Sequence, residues 1–314
     1  MAPITLPEID RISVTTVVDN SIDALRPDEK IARRHVASRI PNLRAEHGLA
    51  HHVAVTRGAE TRRIAFDFGL TADSMVHNWD ALGLDASRID LIALSHGHVD
   101  HYGGMVGFLD AHRGRMKRDL PCYGGSDHFA HRWTERNGRR VDLGSLHRRT
   151  LEAYDLDVRI VAEPTLLPEG VMLSGEMTAP EPYETIPPAL RVERDGEQVQ
   201  DTFIGEQTLI ANVRDKGLVV VTSCSHRGIV GICRWATRVA GLSKIHAVIG
   251  GFHLSGLGEE RITRVVDAFR GFELDYVVPQ HCTGFEALAT LRQRVGDQLV
   301  ISSVGSTFTF GDPR

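Results

Sequence analysis

Cysteine is scarce in this 314-residue sequence. There are four, Cys122, Cys224, Cys233 and Cys282, widely spaced and with no C-x-x-C pair. That pattern argues against a disulfide framework and fits reduced thiols in a cytoplasmic protein. Long apolar runs are also missing, and none approaches the ~20 residues that span a membrane. The opening MAPITLPEID has neither a basic region nor an apolar one, so no secretory signal is expected. Nor is there an excess of positive charge. Lys and Arg number 36 against 41 Asp and Glu, the net charge is −5, and the basic residues are scattered. A nucleic-acid backbone finds no track on such a chain, so neither nucleic acid nor membrane is an expected partner. The rest is ordinary for a globular protein: 42% hydrophobic and 25% charged, with enough length for a sizeable core.

Against these shortages stands histidine, with 16 copies clustered most densely at 96–101. Hydrophobic patterning shows where that cluster falls. RISVTTVVDN reads as a strand ending near Asp19 and Asn20, and 25–48 as a polar surface excursion with a short helix. HHVAVTRGAETRRIAFDFG reads as a hairpin turning at Arg57 to Glu60. SMVHNWDALGL has helical spacing, DLIALSHGH is a buried strand, and HYGGMVGFLDAHR continues as a helix. The stretch of roughly 115–200 carries Pro164, Pro168, Pro180, Pro182, Pro187 and Pro188 and reads as loop-rich, with short strands such as VRIVAE.

The last third alternates clearly. GLVVVTSCSH, HAVIGGFH and DYVVPQH are strands, each followed by a helix, and LVISSVGSTFTF closes the chain as a strand. Strands alternating with helices predict an α/β layered fold. The three strands before the closing one each end in a histidine: His226, His253 and His281. In open α/β sheets, ligands gather at the carboxyl ends of strands.

The stretch LSHGHVDHYGG, Leu94–Gly104, follows a strand directly. His96, His98 and Asp100 alternate, and alternate side chains of an extended segment project to one side. His101 comes next, at the start of a helix, and points elsewhere. One loop can therefore serve two adjacent metal centres, His96 and His98 on one, Asp100 and His101 on the other. Imidazole and carboxylate suit zinc, iron or manganese. Gly97 allows a tight turn between ligands, and Gly103 with Gly104 leaves room above them.

SHGHVDH resembles the signature of the metallo-β-lactamase superfamily, whose fold is an αββα sandwich with a metal site at one edge. The resemblance covers most of the chain and extends to the dihydropterin-synthase-like branch related to methanopterin biosynthesis. It rests on VVDNSID, AEHGLA, FDFG, SGEM, DTFIGEQTLI, KGLVVVTSCSHRGIV, HAVIGGFHL and PQHCTG. It implies one metallo-β-lactamase-like domain over 1–314, with 115–200 as an insertion.

It also implies the remaining ligands. Many members carry a bridging aspartate where this chain has Cys224, with His226 two residues later. His226 is then expected to complete the His96/His98 site, and His281 the Asp100/His101 site. No separate histidine occupies 165–185, where Glu176 stands as ligand or as structural residue. His253 is a candidate for proton transfer, substrate contact or metal. Cys224 is expected as a buried residue supporting the site, and Cys282 as packing beside His281. Asp67 resembles the superfamily's buried aspartate, which holds a ligand histidine or the loop. His47, with Glu46, is a candidate to reach the pocket. His35, His51, His52, His77, His112, His128, His131, His147 and His246 are expected only to hydrogen-bond.

Two divalent ions, zinc or alternatively manganese, iron or magnesium, generate hydroxide at neutral pH and polarise a substrate oxygen. Asp100 would orient the nucleophile or take its proton. Arg227 at a helix start, and Thr283 with Gly284 in a T-x-x-E cap before the next helix, are candidates to bind an anionic group. The expected activity is hydrolysis of a small anionic, phosphorylated or pterin-like molecule. The branch implies an alternative. Its named reaction joins a dihydropterin pyrophosphate to a ribofuranosyl-aminobenzene phosphate and releases pyrophosphate. A non-catalytic metal-binding protein is the third reading.

Overall fold

A computed structural model describes residues 2–35, 42–178 and 180–312. Two sheets face each other. The first runs Leu156–Ile160, Leu120–Gly124, Leu91–Ala93, Glu60–Phe66, Ala50–Arg57, Arg11–Val18, Thr307–Gly311 and Ala32–Arg33. The second runs Thr165–Leu166, Val171–Leu173, Leu209–Val213, Gly217–Val221, Ile245–Gly251 and Tyr276–Gln280, with Glu8–Ile9 pairing beside Leu209–Val213.

Inward-facing side chains of both sheets, among them Val14, Val53, Ile64, Phe66, Val219, Val221, Ile249 and Val278, form one buried cluster. The outer face of the first sheet packs on Met75 and Trp79 of helix Ala72–Ala81 and on Met105, Phe108 and Leu109 of helix Met105–His112. The outer face of the second packs on helices Ile229–Ala240, Glu259–Phe269 and Phe285–Val295. This is the expected αββα sandwich. At about 25 cal/mol per Å² of apolar area, three such clusters are its main stabilising term.

The last third follows its sequence pattern closely. Gly217–Val221, Ile245–Gly251 and Tyr276–Gln280 pair in parallel. The last two are buried almost throughout, as a sheet covered on both faces requires. Ile262, Val265, Val266 and Phe269, at i, i+3, i+4 and i+7, are the buried stripe of their helix. Helix Ile229–Ala240 ends at Gly241 in the left-handed region (φ 65°), which glycine adopts without a Cβ clash.

Three expectations change. The 25–48 excursion contains no helix among the described residues; Ala32–Arg33 instead pairs with Thr307 and Phe308, and 36–41 lie outside the described residues. The helix after the histidine loop divides into Val99–Tyr102 and Met105–His112. At the break the Gly104 N–H bonds the Gly69 carbonyl, and Gly103 and Gly104 press against the carbonyls of Leu70 and Phe68, where a Cβ would clash. Only Thr307–Gly311 of the closing segment is a strand.

The 115–200 stretch is loop-rich only over 161–189, where the six prolines named above lie and the strands are the short Thr165–Leu166 and Val171–Leu173. The rest contributes Leu120–Gly124 and the edge strand Leu156–Ile160 to the sandwich and all of a separate four-stranded sheet: Glu197–Gln200, Leu190–Arg194, Arg132–Arg136 and Arg139–Gly144. Its two hairpins turn at Asn137-Gly138 (φ 50° and 69°) and Asp195-Gly196 (φ 53° and 81°). Positive φ at both central residues gives the twist that two-residue hairpins need.

Candidate metal centre

Strand Leu91–Ala93 delivers the histidine loop to the edge of the sandwich. Beyond it, Asp67 organises the turn from a neighbouring strand end. Its carboxylate accepts the Ser95 N–H (2.7 Å) and the hydroxyls of Ser95 (2.6 Å) and Ser223 (2.5 Å), and lies 2.9 Å from His101 Nδ1. Asp67 takes a left-handed backbone (φ 61°) to do so. Gly97 sits where a Cβ would overlap the Arg132 guanidinium and the His128 carbonyl. The loop can pass there only without a side chain.

His96, His98 and His226 form a nearly equilateral set of rings, with centroids 4.9 Å (His96–His98), 4.8 Å (His96–His226) and 4.8 Å (His98–His226) apart. Phe203 stacks on His226 at 3.9 Å and stands edge-on to His98 at 4.9 Å, fixing both rings. His96 Nδ1 lies 2.9 Å from the Ser95 hydroxyl oxygen. That hydroxyl's hydrogen goes to Asp67, so the ring donates at Nδ1 and turns a bare Nε2 inward. His96 Nε2 and both ring nitrogens of His226 are buried without a hydrogen-bond partner. Burial holds the pKa of His96 and of His226 well below the ordinary value and lowers that of His98 to about 3. All three are neutral lone-pair donors.

Asp100, His101 and His281 form the second group. Asp100 Oδ2 lies 3.6 Å from His101 Nε2 and 3.3 Å from His281 Nε2. His281 Nδ1 is held by Asn20 Oδ1 (2.9 Å), and its Nε2 is a buried atom without a hydrogen bond. Burial opposes ionisation of Asp100, yet His101, His281 and His47 keep its pKa well below the usual carboxylate range. Burial likewise opposes protonation of His101, but Asp100 and Asp67 outweigh it and raise the pKa to about 9.

These residues fit divalent ions. Orphaned, buried nitrogens are costly unless something coordinates them. Metal–nitrogen bonds of about 2.0–2.1 Å and metal–sulfur bonds of about 2.3 Å at tetrahedral angles place neighbouring donors about 3.3–3.6 Å apart. The contacts within the second group are of that size. Donor atoms of Asp100, His101, Cys224 and His281 lie within 4.8 Å of one another, as do those of His96, Cys224 and His226. Ser95, Asp67 and Asn20 fix the ring orientation of His96, His101 and His281 from behind.

The other candidates divide. His253 (φ 47°) lines the cleft over the site, its ring 4.1 Å from that of His226, and its Nδ1 is buried without a partner. His47 is exposed at the cleft mouth with Nε2 3.3 Å from Asp100; the Asp100 hydrogen bond raises its pKa. Gly284 also lines the cleft.

Arg227 does not reach it. The guanidinium is buried and donates to the carbonyls of Thr202 and Met177. The helix start behind it is also filled from within. Glu184 accepts the Val230 and Gly231 N–H groups, and Glu206 those of His226 and Arg227. Thr283 makes no capping box. Its hydroxyl donates to Gln280 and accepts from the Phe252 N–H, and Gly284 stands at the helix cap. Glu176 is bonded by the Ser126 hydroxyl and joins neither donor group. Cys282 lies beside His281 in the chain, with Sγ 3.5 Å from that of Cys224.

Sequence reasoning missed Ser95, Ser223, Asn20, Phe203 and Glu206, none of which carries a ligand pattern. It also missed Arg136, which lines the cleft from the four-stranded sheet; the only signal for it was the neighbouring Asn137-Gly138 hairpin turn. The cleft has a volume of about 690 Å³. Leu70, Val99, Leu143, Pro187 and Leu190 give it apolar wall.

A model of the metallo-β-lactamase superfamily matches residues 53–115, the stretch holding His96, His98, Asp100 and His101. The chain is 30% identical over 248 residues to 7,8-dihydropterin-6-methyl-4-(β-D-ribofuranosyl)-aminobenzene-5'-phosphate synthase of Methanocaldococcus jannaschii, spanning 77% of this chain and 83% of that enzyme. A crystal structure of a metal-dependent hydrolase of the β-lactamase superfamily superposes with a TM-score of 0.74 at 25% identity, covering 96% of this chain and all of the other. A diphosphatase of the PhnP family shares the fold, with a TM-score of 0.51 at 11% identity over 96% of this chain and 97% of its own.

Proposed function

We propose a function from the premise that the chain belongs to the metallo-β-lactamase superfamily, in its dihydropterin-synthase-like branch: a metal-dependent hydrolase of a small anionic substrate. The observation that carries it is the convergence of two donor groups on one cleft, with His98, Asp100, His226 and His281 all lining it. His96, His98 and His226 would hold one ion, and Asp100, His101 and His281 another. Zinc suits these donors, and manganese or iron can take the same nitrogen and oxygen set. When bound, such ions supply Lewis acidity and activate water near neutral pH.

The chain's own residues do the rest. Asp100 presents a carboxylate that stays ionised, able to accept the proton of an attacking water. His253, beside His226, is placed to return a proton to the leaving group. His47 and Arg136 bring positive charge to the cleft for an anionic substrate. The apolar wall from Leu70 to Leu190 takes the body of the molecule. Anion binding thus moves from Arg227 and Thr283 to His47 and Arg136.

A screen of phosphoester, carboxylic ester, lactone and thioester substrates tests this. The expected result is metal-dependent turnover of one class, lost on chelation and restored by zinc or manganese. Stoichiometric metal without turnover on any class would favour a binding protein.

The 30% identity to the synthase over most of both chains favours a second reading. In it, the same site joins a dihydropterin pyrophosphate to a ribofuranosyl-aminobenzene phosphate and releases pyrophosphate. Formation of that product on incubation with both substrates would replace hydrolysis as the activity.

A further inference from the structure

We infer that Arg132 is a positioning residue for the first donor group: its guanidinium sets the Phe203 ring and the turn between His96 and His98, and through them the aim of His98 and His226. The inference rests on the metal centre proposed above and concerns a side chain outside it.

Arg132 opens the strand Arg132–Arg136 and is wholly buried. Its planar fork reaches several acceptors at once. Nε donates to Asp201 Oδ2 (2.6 Å), Nη1 donates to the carbonyls of Asp127 (2.8 Å) and Ala130 (3.3 Å), and Nη2 forms an ion pair with Asp127 Oδ2 (3.1 Å).

Two routes lead from this fork to the histidines. The first runs through Phe203. The other oxygen of Asp201, Oδ1, accepts the Phe203 N–H (2.8 Å). Arg132 Cζ also stands 5.9 Å from the centre of the Phe203 ring, within cation–π range. Phe203 needs such holding. Its backbone is left-handed (φ 47°), a conformation that a bulky residue keeps only where its neighbours fix it. Its ring then lies parallel to that of His226 (3.9 Å, 5°) and edge-on to that of His98 (4.9 Å, 87°). The second route runs through Gly97. A Cβ on that residue would lie 2.1 Å from Arg132 Nη1, so the turn carrying His96 and His98 is shaped around the same guanidinium.

The alternative is a tie that only holds the four-stranded sheet to the sandwich. Stability is weak ground for it, since a buried ion pair often contributes no more than apolar residues of the same volume. Any cation facing Asp127 and Asp201 would serve a tie, whereas the contacts to Phe203 and Gly97 need the flat fork. The far end of the same strand, Thr134 to Arg136, lines the cleft. One strand therefore carries both a wall of the cleft and the group that aims the first ion's ligands.

Cobalt binding to the full-length protein, read from its visible absorption, tests this. His281→Ala keeps the first donor group and His226→Ala the second, so each background isolates one ion. Arg132→Lys keeps the charge and removes the fork. It should weaken Co²⁺ binding ~10–100-fold in the His281→Ala background and change the visible bands there, with less than a ~3-fold loss in the His226→Ala background. Undiminished binding at the first group would overturn the inference. Equal weakening of both groups, the result expected of a tie, would overturn it too. Asp201→Asn breaks the same pair from the acidic side and carries the same expectation where the lysine variant fails to fold. A wild-type protein that binds no cobalt would instead overturn the metal centre.

Discussion

The two donor groups sit side by side and are built from different materials. The His96/His98/His226 group is three neutral imidazoles against Phe203, with His96 Nε2 and both His226 nitrogens bare. The Asp100/His101/His281 group is charged and braced by polar residues: Asp67 and Ser223 behind His101, Asn20 behind His281. The first is oriented by packing on Phe203 and by a single hydrogen bond between His96 and Ser95, the second by hydrogen bonds throughout. The lesson is that one centre can contain two sites with largely separate supports, linked where Ser95 joins His96 to Asp67, so damage to one support should not spread evenly.

The sharpest way to break that comparison is to remove one support at a time. Asp67→Ala leaves Ser95, Ser223 and a protonated His101 buried without their shared acceptor. That should cost ~3–5 kcal/mol of stability in the metal-free protein and weaken the second ion ~10–100-fold. Phe203→Ala should cost ~3–5 kcal/mol through the cavity it leaves, and weaken the first ion more than the second. Denaturant unfolding and metal titration of both variants would measure the pair. Equal loss of both ions in each variant would end the distinction.

Acid should instead strike both groups alike. His128 is buried beside the first, bonded to the Gly205 carbonyl, and His51 beside the second, bonded to Gln280, the residue before His281. Burial lowers each pKa from 6.5 to about 4. Below pH 6.5 the unfolded chain binds protons that the folded chain refuses. Stability should therefore fall as pH drops from 6.5 to 4, by about 3 kcal/mol per histidine. Unfolding of the metal-free protein across this range, compared with His51→Gln and His128→Gln, would show it as a flatter pH dependence in each variant.

The smallest effect is expected at His47, which stands exposed at the edge of the second group, beside Asp100 and the ring of His281. His47→Ala should raise KM several-fold on an anionic substrate and leave metal content unchanged. Loss of an ion in that variant would make His47 a ligand.

Much of this was legible in the chain. Val219 to Val221 and the HAVIGG and YVVPQ runs are apolar segments between helical stripes, as a parallel sheet covered on both faces requires. H-x-H-x-D-H at a strand end declares its chemistry by spacing alone. The four-stranded sheet was not legible, because Arg139–Gly144 and Glu197–Gln200 are mostly exposed and all four strands are short and rich in polar residues, with little apolar alternation. The supports were hidden for another reason. A serine or a phenylalanine has no signature until the fold brings it to a histidine, and Asp67 meets Ser223 across 156 residues. Arg227 misled because a helix start attracts any anion, including the chain's own Glu184 and Glu206.

Metal content per chain, measured in wild type, His226→Ala and His281→Ala, tests the centre most directly. The split site predicts two ions in the wild type and one in each variant, with the remaining ion on the opposite group. Two ions in all three proteins would contradict it.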